Sequence, residues 1–397
     1  MGLFSKKESK SVFAVLDIGS GNIGGALVLR DGAKPPKILY TAQKDIVFQD
    51  EFKFERFLAS MLETADIVLA QLQKNSPQKI KETVVVLSAP WYLSQSRTIT
   101  QKSEKVGVVT RKKVDSLILA EVEELKKNFD IRYKSLTGSK AELVDVKNIR
   151  MKLNGYETKN PFGKYANEFE AFIFVSLSPN TILNALREKV KKHFPKSSVT
   201  FHSFSFAAYC VLRDIYTNNR NFMFVDISGE MTDISVVYQE ALVESLSFSL
   251  GENFLLRTLS SCFNTVSDEA LSNLKLYIEN KSADGVNKKM AQFLSHAEKE
   301  WVDAFKKNLA ALSHYTVVPS KIFVITDAPY YEWFTSVMKK TDYAGISFAG
   351  QSMDVEVLNP AVLGKFVEFD MNVSRDIFII IDTLFAKQKY SADEKKD

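Results

Sequence analysis

The chain has 397 residues, 45% of them apolar and 25% charged, enough to bury a large core and to divide into at least two domains. The net charge of +4 is spread along the chain, which argues against a dedicated nucleic-acid surface and remains compatible with an anionic membrane or a phosphorylated ligand. Cys210 and Cys262 lack metal-ligand spacing and read as buried free thiols of a reducing compartment, and four scattered histidines argue against a histidine-built metal centre.

Met1 to Lys7 is too short and polar for a signal peptide, and no run of about 18 to 20 apolar residues occurs, so the cytoplasm is the expected residence. Gly2 and Ser5 loosely resemble an acylation signal, but a basic leader ahead of a domain is the commoner explanation. Val12 to Leu16 reads as a buried strand, followed by a small-residue turn at Gly19, Ser20, Gly21 and Asn22 and by extended structure over Gly24 to Leu29. Asp31-Gly32 predicts a hairpin turn and Lys37 to Tyr40 a further strand. Because these glycines join antiparallel strands, they do not form a dinucleotide fingerprint, whose strand runs into a helix.

Apolar residues at helical spacing from Phe54 to Leu72 predict a core-facing helix. Thr83 to Leu87 predicts a strand ended by Ala89-Pro90, and Arg97 to Thr100 and Val106 to Val109 predict two short extended pieces. Thr110 is placed to cap a helix over Arg111 to Lys127. Glu142 to Leu153 and Glu168 to Leu177 predict strands flanking the polar stretch from Gly155 to Gly163. Several strands with one helix read as an inserted small domain.

Helices are expected over Pro179 to Val190 and Phe204 to Tyr216. Phe222 to Val225 leads into a second small-residue turn, Asp226-Ile227-Ser228-Gly229-Glu230-Met231-Thr232-Asp233, with Ile234 to Tyr238 as the outgoing strand and Ala241 to Leu250 as a third. Helices over Leu255 to Phe263, Asp268 to Tyr277 and Lys288 to Leu312 follow, closed by Pro319. Ile322 to Ile325 predicts a strand, Tyr330 to Met338 a helix and Asp354 to Leu358 a short strand. Ile377 to Ile381 reads as a strand or core segment, and Ala386 to Asp397 as a frayed polar tail.

The two turns share a chemistry. Gly19 and Gly21 let backbone N–H groups approach an anion, Ser20 and Asn22 add short polar side chains, and Ser228, Gly229 and Thr232 repeat the pattern. Asp17 and Asp226 are placed to hold Mg2+ through its waters, which reconciles their charge with a phosphate. Gly251, ahead of an expected helix, offers a third contact, though an ordinary helix-start glycine explains it too. Turns of Gly and Ser also serve simply to close hairpins.

On these residues the chain resembles the actin-like ATPase superfamily, particularly its bacterial FtsA and PilM branch. Asp17 to Asn22 is similar to that family's first phosphate loop and Asp226 to Asp233 to its second. Val243 to Leu255, with Gly251 and Glu252, is similar to the segment after the second loop. Glu269-Ala270 with Leu274-Lys275 resembles the nucleotide-side helix, on which Lys275 would approach the ribose or base. Asn154-Gly155-Tyr156, Asn160 to Gly163 and Glu168 to Ala171 resemble the small SHS2 domain inserted in FtsA. The family's Gly-rich adenosine loop is replaced by Thr326-Asp327-Ala328-Pro329, which makes phosphate recognition a safer expectation than ATP specificity.

The resemblance implies an α/β, actin-like (ribonuclease H-like) two-domain fold with an inserted FtsA-type α+β domain. Its parts are a leader at 1–10, a first actin-like domain over 11–82 and 179–215, the insertion at 83–178, a second domain over 216–385 with a helical subdomain around 256–318, and a tail at 386–397. It implies ATP and Mg2+ as cofactors, with slow or absent transfer of a phosphoryl group to water. In that reading the backbone of Ser20 to Asn22 and Ser228 to Met231 stabilises phosphate charge, Asp17 and Asp226 organise magnesium-bound waters, and Glu230 or Asp233 positions the attacking water.

FtsA tethers the tubulin-like division ring to the membrane and can polymerise, whereas PilM is a cytoplasmic scaffold that captures a terminal peptide of a membrane pilus protein. The insertion favours the FtsA type, which is the leading expectation. The polar ending Ser391 to Asp397 and the Leu3-Phe4 leader before Lys6-Lys7 speak for the PilM type. The expected partners are a division-ring protein or the peptide of a membrane-anchored pilus protein, with self-association and peripheral membrane contact as further expectations and no nucleic acid. A sugar or metabolite kinase would need a substrate pocket with an oriented base, which the sequence does not display, and a nucleotide-independent adaptor with a degenerate ATP site stands beside the scaffold readings.

Overall fold

Apolar runs broken by small-residue turns fold here as two sheets of one design. A computed structural model describes residues 10–137, 139–279, 284–314, 316–328, 330–343 and 353–393. The leader Met1 to Lys7, Pro329 of the adenosine-loop segment and the last residues 394–397 lie outside the described residues.

The chain opens with β1 (Ser11–Ile18), β2 (Asn22–Arg30), β3 (Lys37–Asp45), α1 (Phe54–Asn75) and β4 (Glu82–Leu87). The insertion follows as β5 (Leu93–Val108), α2 (Arg111–Thr137), β6 (Ala141–Leu153), β7 (Tyr156–Glu157) and β8 (Tyr165–Pro179). The chain then returns to the first sheet through α3 (Asn180–His193), β9 (Ser198–Ser203) and α4 (Phe204–Ile215). The second half holds β10 (Phe222–Ile227), β11 (Thr232–Tyr238), β12 (Ala241–Phe248), α5 (Glu252–Phe263), α6 (Ser267–Ile278), α7 (Asp284–Ser313), β13 (Lys321–Ile325), α8 (Tyr331–Lys340), β14 (Asp354–Val357), α9 (Pro360–Leu363), β15 (Glu368–Phe369) and α10 (Ile377–Asp393).

The first sheet runs β15-β3-β2-β1-β4-β9 and the second β12-β11-β10-β13-β14. In each, an antiparallel meander of three strands is continued by two parallel ones, β4 and β9 beyond β1, β13 and β14 beyond β10. The hairpin registers correspond as well: Asp17 faces Gly24 and Ile18 faces Ile23, while Asp226 faces Asp233 and Ile227 faces Thr232. One lobe is therefore built twice, and each lobe's first hairpin ends in one of the two small-residue turns.

Helices α4 and α10 lie between the lobes. A single core joins Phe13 and Val15 of the first sheet to Phe222, Phe224 and Phe323 of the second through Phe204, Phe378 and Ile380. α1 and α3 cover the outer face of the first sheet, and α5, α7 and α8 that of the second.

Ile377 to Ile381 is core but not strand: it is the start of α10, with all five side chains buried. β-Branched residues favour strands on a half-buried surface, but burial on every side suits a helix that is apolar all round. Asp376 starts it by accepting the Ile379 N–H at 2.9 Å, an N-cap interaction. The helix continues through Ala386, itself buried, to Asp393, so the frayed tail expected from Ala386 onward does not begin there.

The two short pieces expected at Arg97 to Thr100 and Val106 to Val109 are one strand, β5, interrupted by a register shift between Lys102 and Gly107. β9, with only three buried residues beside half-polar ones, carries too short a pattern to be read from sequence. Thr110 does cap α2, its hydroxyl accepting the Lys113 N–H at 3.3 Å. The insertion's sheet runs β5-β8-β6-β7, backed by α2 over its own core. Asp145 of β6 ties it to the first lobe, accepting the Ser203 N–H and hydroxyl, both at 2.8 Å, and lying 2.7 Å from His202 Nδ1. Cys210 and Cys262 are free but half-buried rather than fully buried. Among the described residues no helix is long and apolar enough to cross a membrane.

Candidate functional site

Both hairpin tips converge between the lobes and touch. The Ser20 hydroxyl lies 2.7 Å from that of Ser228 and accepts the Glu230 N–H at 2.9 Å. A Cβ added to Gly229 would stand 2.3 Å from Gly21 Cα and 2.5 Å from its nitrogen, far inside ordinary carbon contact. Glycine is required at 229 because backbone meets backbone there. Behind the first tip, the Trp91 indole N–H donates to the Gly19 carbonyl at 2.8 Å and fixes the turn from inside the first lobe.

The second tip is held in the same manner. Gly251 is required because a Cβ there would stand 2.1 Å from the Ser228 carbonyl oxygen. The first N–H groups of α5 are already used, since Glu252 N–H donates to the Ser228 carbonyl at 3.0 Å and Asn253 N–H to that of Gly229 at 2.7 Å. Thr232 is fully buried and donates to the Leu250 carbonyl at 2.7 Å, so it faces the second lobe's interior and not the seam. The Ser228 N–H is likewise taken, by the Met231 carbonyl at 3.0 Å.

Carboxylates line the seam. Glu252 accepts the Thr326 hydroxyl at 2.7 Å and the Asp327 N–H at 3.0 Å. Asp327 in turn accepts the Asn22 amide at 2.9 Å, so the segment standing where the adenosine loop was expected is bonded to the opposite lobe. Asp382 of α10 and Asp376, which caps that helix, join them. One oxygen each of Asp17 and Asp226, and both of Asp382, are buried without a hydrogen-bond partner. These three residues form no ion pair among the described residues.

Burial is the largest cause that pushes Asp17, Asp226, Glu252 and Asp382 well above the usual carboxylate range. Their mutual repulsion adds to it: Asp376 and Asp327 act on Asp17, Asp233 and Asp17 on Asp226, and Asp17 on Asp382. Asp327 is raised to about 7, by burial first and Asp376 next. Asp233, which accepts the Tyr92 hydroxyl at 3.1 Å, is raised to about 6 by burial.

The Glu230 carboxylate is already taken. Arg257 grips it at 2.6 and 3.1 Å and the Asn253 amide donates to it at 2.8 Å, so its carboxylate is committed to α5. Lys275 is exposed on α6 and, among the described residues, makes no hydrogen bond or ion pair with either tip. Met231 is half-buried beside the second tip. The sequence pointed to Asp17, Asp226, Glu252 and Asp327 but not to Asp376 and Asp382. A lone acid inside the apolar run from Ile377 to Ala386 was the available signal, since a charged residue is rarely fully buried without a reason.

The remaining cleft, walled by Asp17, Gly21, Asn22, Ser228, Asp327 and Phe378, encloses only about 10 Å³. Small-molecule sites commonly enclose about 300–1,000 Å³. In this conformation the tips leave no room between them for a phosphate, and the charged groups on the cleft walls, Asp17 and Asp327, are acidic. Asp17 and Asp226 would accept a proton or a hydrated cation at their unpartnered oxygens, but among the described residues no three ligating side chains group to hold a metal directly. The residues as arranged do not fit a magnesium-nucleotide.

No family model matches the sequence, and no curated protein matches it. Among solved structures, a chain of a PilM-PilN type IV pilus biogenesis complex is similar with a TM-score of 0.64 over 96% of this chain and 99% of that one, at 12% identity. The ethanolamine utilization protein EutJ from Carboxydothermus hydrogenoformans is similar at a TM-score of 0.45, 12% identity and coverages of 96% and 91%. A Bacteroides thetaiotaomicron protein with an actin-like ATPase fold is similar at a TM-score of 0.42, 9% identity and coverages of 97% and 99%. With the duplicated lobe topology, the first of these likenesses establishes the actin-like fold.

Proposed function

We propose that this protein is a scaffold of the PilM kind, which holds a cytoplasmic peptide of a membrane-anchored assembly partner. The division into two actin-like domains, an insertion and a helical subdomain is part of this proposal, as is a cytoplasmic position at the membrane through the partner. The supporting observation is the likeness to a pilus biogenesis complex along essentially the whole of both chains. It supports the PilM type over the FtsA type, which the insertion had favoured. An open groove of about 340 Å³ between α1 and α3 suits a peptide: Phe54, Leu58, Leu62 and Ile182 make its walls apolar.

In this reading the seam joins the lobes through their own side chains. Ser20 to Ser228, Ser20 to Glu230 and Asn22 to Asp327 cross it where a bound nucleotide would otherwise bridge. A second reading, in which the lobes part to admit ATP and Mg2+, is favoured by the unpartnered oxygens of Asp17 and Asp226 at corresponding hairpin positions.

One titration tests both. A fluorescent cytoplasmic peptide of the organism's own PilN-type membrane protein is added to the full chain with and without magnesium-ATP. Binding is expected, unchanged by nucleotide, and weakened by about tenfold or more in Leu58→Glu, as for a buried apolar anchor. A nucleotide-dependent affinity selects the second reading. Failure of that peptide to bind, with binding of the division-ring protein's tail instead, returns the FtsA type.

A further inference from the structure

The insertion carries a surface that neither the seam nor the α1–α3 groove uses. β5 is the outer strand of its sheet and pairs on one side only, with β8. Its first half is covered by the second lobe, where Glu244 of β12 accepts the Ser96 backbone N–H and faces Arg97. From Lys102 to Val108 every residue is exposed, and a Cβ on Gly107 would meet nothing within 4 Å.

Lysines and a bulge are common ways of blunting such an edge. They do not account for Val106 at 64% exposure, Val108 at 42%, or Tyr165, the cross-strand neighbour of Val108, at 70%. Apolar side chains left outward on an open edge mark a surface that is covered in use.

Beside this edge lies a shallow groove of about 60 Å³ between β5 and the start of α2. Its floor is Val109, Val114 and Phe169, all buried, and its rim carries Lys105 and Lys113. The one carboxylate lining it, Glu168, is 2.9 Å from Lys102 Nζ and thereby neutralised. Lys105 and Lys113 form no ion pair among the described residues. Arg111 and Lys112 add charge in the first turn of α2, which holds no acid.

We propose that this edge and groove bind an extended acidic segment of a partner protein. The segment adds as a strand to β5, sets carboxylates on Lys105 and Lys113, and seats an apolar side chain over Val109, Val114 and Phe169. Strand addition draws affinity from main-chain hydrogen bonds and specificity from alternate side chains, which here meet a basic rim and an apolar floor. Charge complementarity selects the acidic partner. An anionic lipid surface would use the lysines but neither the open strand edge nor the groove.

The test is selection of phage-displayed random peptides on the full chain and on Lys105→Glu/Lys113→Glu, with unfolding midpoints compared to show that the variant folds. Sequences alternating acidic and apolar residues are expected, with enrichment falling about tenfold or more in the double variant. Hydrogen exchange on the complex should slow over 102–108. Enrichment without acidic character, enrichment equal in both proteins, or protection only at α1 and α3 would overturn the proposal. So would charge-reversal-sensitive binding to phosphatidylserine vesicles in place of any peptide. The α1–α3 groove is untouched by these substitutions, so failure here leaves the scaffold reading standing.

Discussion

Gly229→Ala tests the closed seam directly. The added Cβ would stand 2.3 Å from Gly21 Cα and 2.7 Å from the Ser20 carbonyl carbon. Ordinary carbon contact begins near 3.5 Å, so the tips must separate by about 1 Å. That displacement takes the 2.7 Å Ser20–Ser228 and 2.9 Å Glu230–Ser20 hydrogen bonds out of range. Two hydrogen bonds at about 1 kcal/mol each, with about 1–3 kcal/mol of overpacking, give a loss of roughly 3–5 kcal/mol. With a urea dependence of about 3 kcal/mol per M, the unfolding midpoint should drop by about 1 M or more. Tryptophan fluorescence reads it, since Trp91 is bonded to the first tip. Gly107→Ala, whose Cβ meets nothing, is the control and should shift stability by less than about 0.5 kcal/mol. A Gly229→Ala midpoint equal to that of the control would refute contact between the tips.

Other consequences concern titrating groups. Because burial raises Asp233 to about 6, the folded state holds its proton more tightly than the unfolded chain does; the contribution is full below about pH 4 and is lost as pH rises through 6. A shift of about two units is worth about 3 kcal/mol, so Asp233→Asn, which can still accept from Tyr92, should gain up to that amount at pH 8 and little at pH 4. Urea unfolding at both pH values checks this, and an equal effect of the substitution at the two would refute it. Burial also pushes the Cys210 thiol up to about 12, so a thiol reagent at pH 8 should modify Cys262 first and half-buried Cys210 much more slowly. Modification of both at equal rates would contradict the desolvation of the Cys210 thiol on α4.

Much of the architecture was legible locally. The paired turns with Asp17 and Asp226, the helix from Phe54 to Leu72 and the Thr110 cap are each set by neighbours a few residues apart, through turn chemistry, periodicity and capping. That the two hairpins end lobes of like topology was implied by the resemblance and not by those local patterns, which missed β9. Where periodicity was short or ambiguous it misled. Ile377 to Ile381 has strand propensity, and only its place between two sheets makes it a helix.

The character of the site was decided by the tertiary structure. Asp17, Asp226, Glu252, Asp327, Asp376 and Asp382 come from distant parts of the chain, and their raised proton affinities exist only because folding desolvates them together. Whether Gly21 and Gly229 face a ligand or each other depends on how the lobes dock across α4 and α10, a rigid-body relation among hundreds of side chains that no local spacing encodes. Composition and pattern thus specified two phosphate-like turns, and packing closed them on one another.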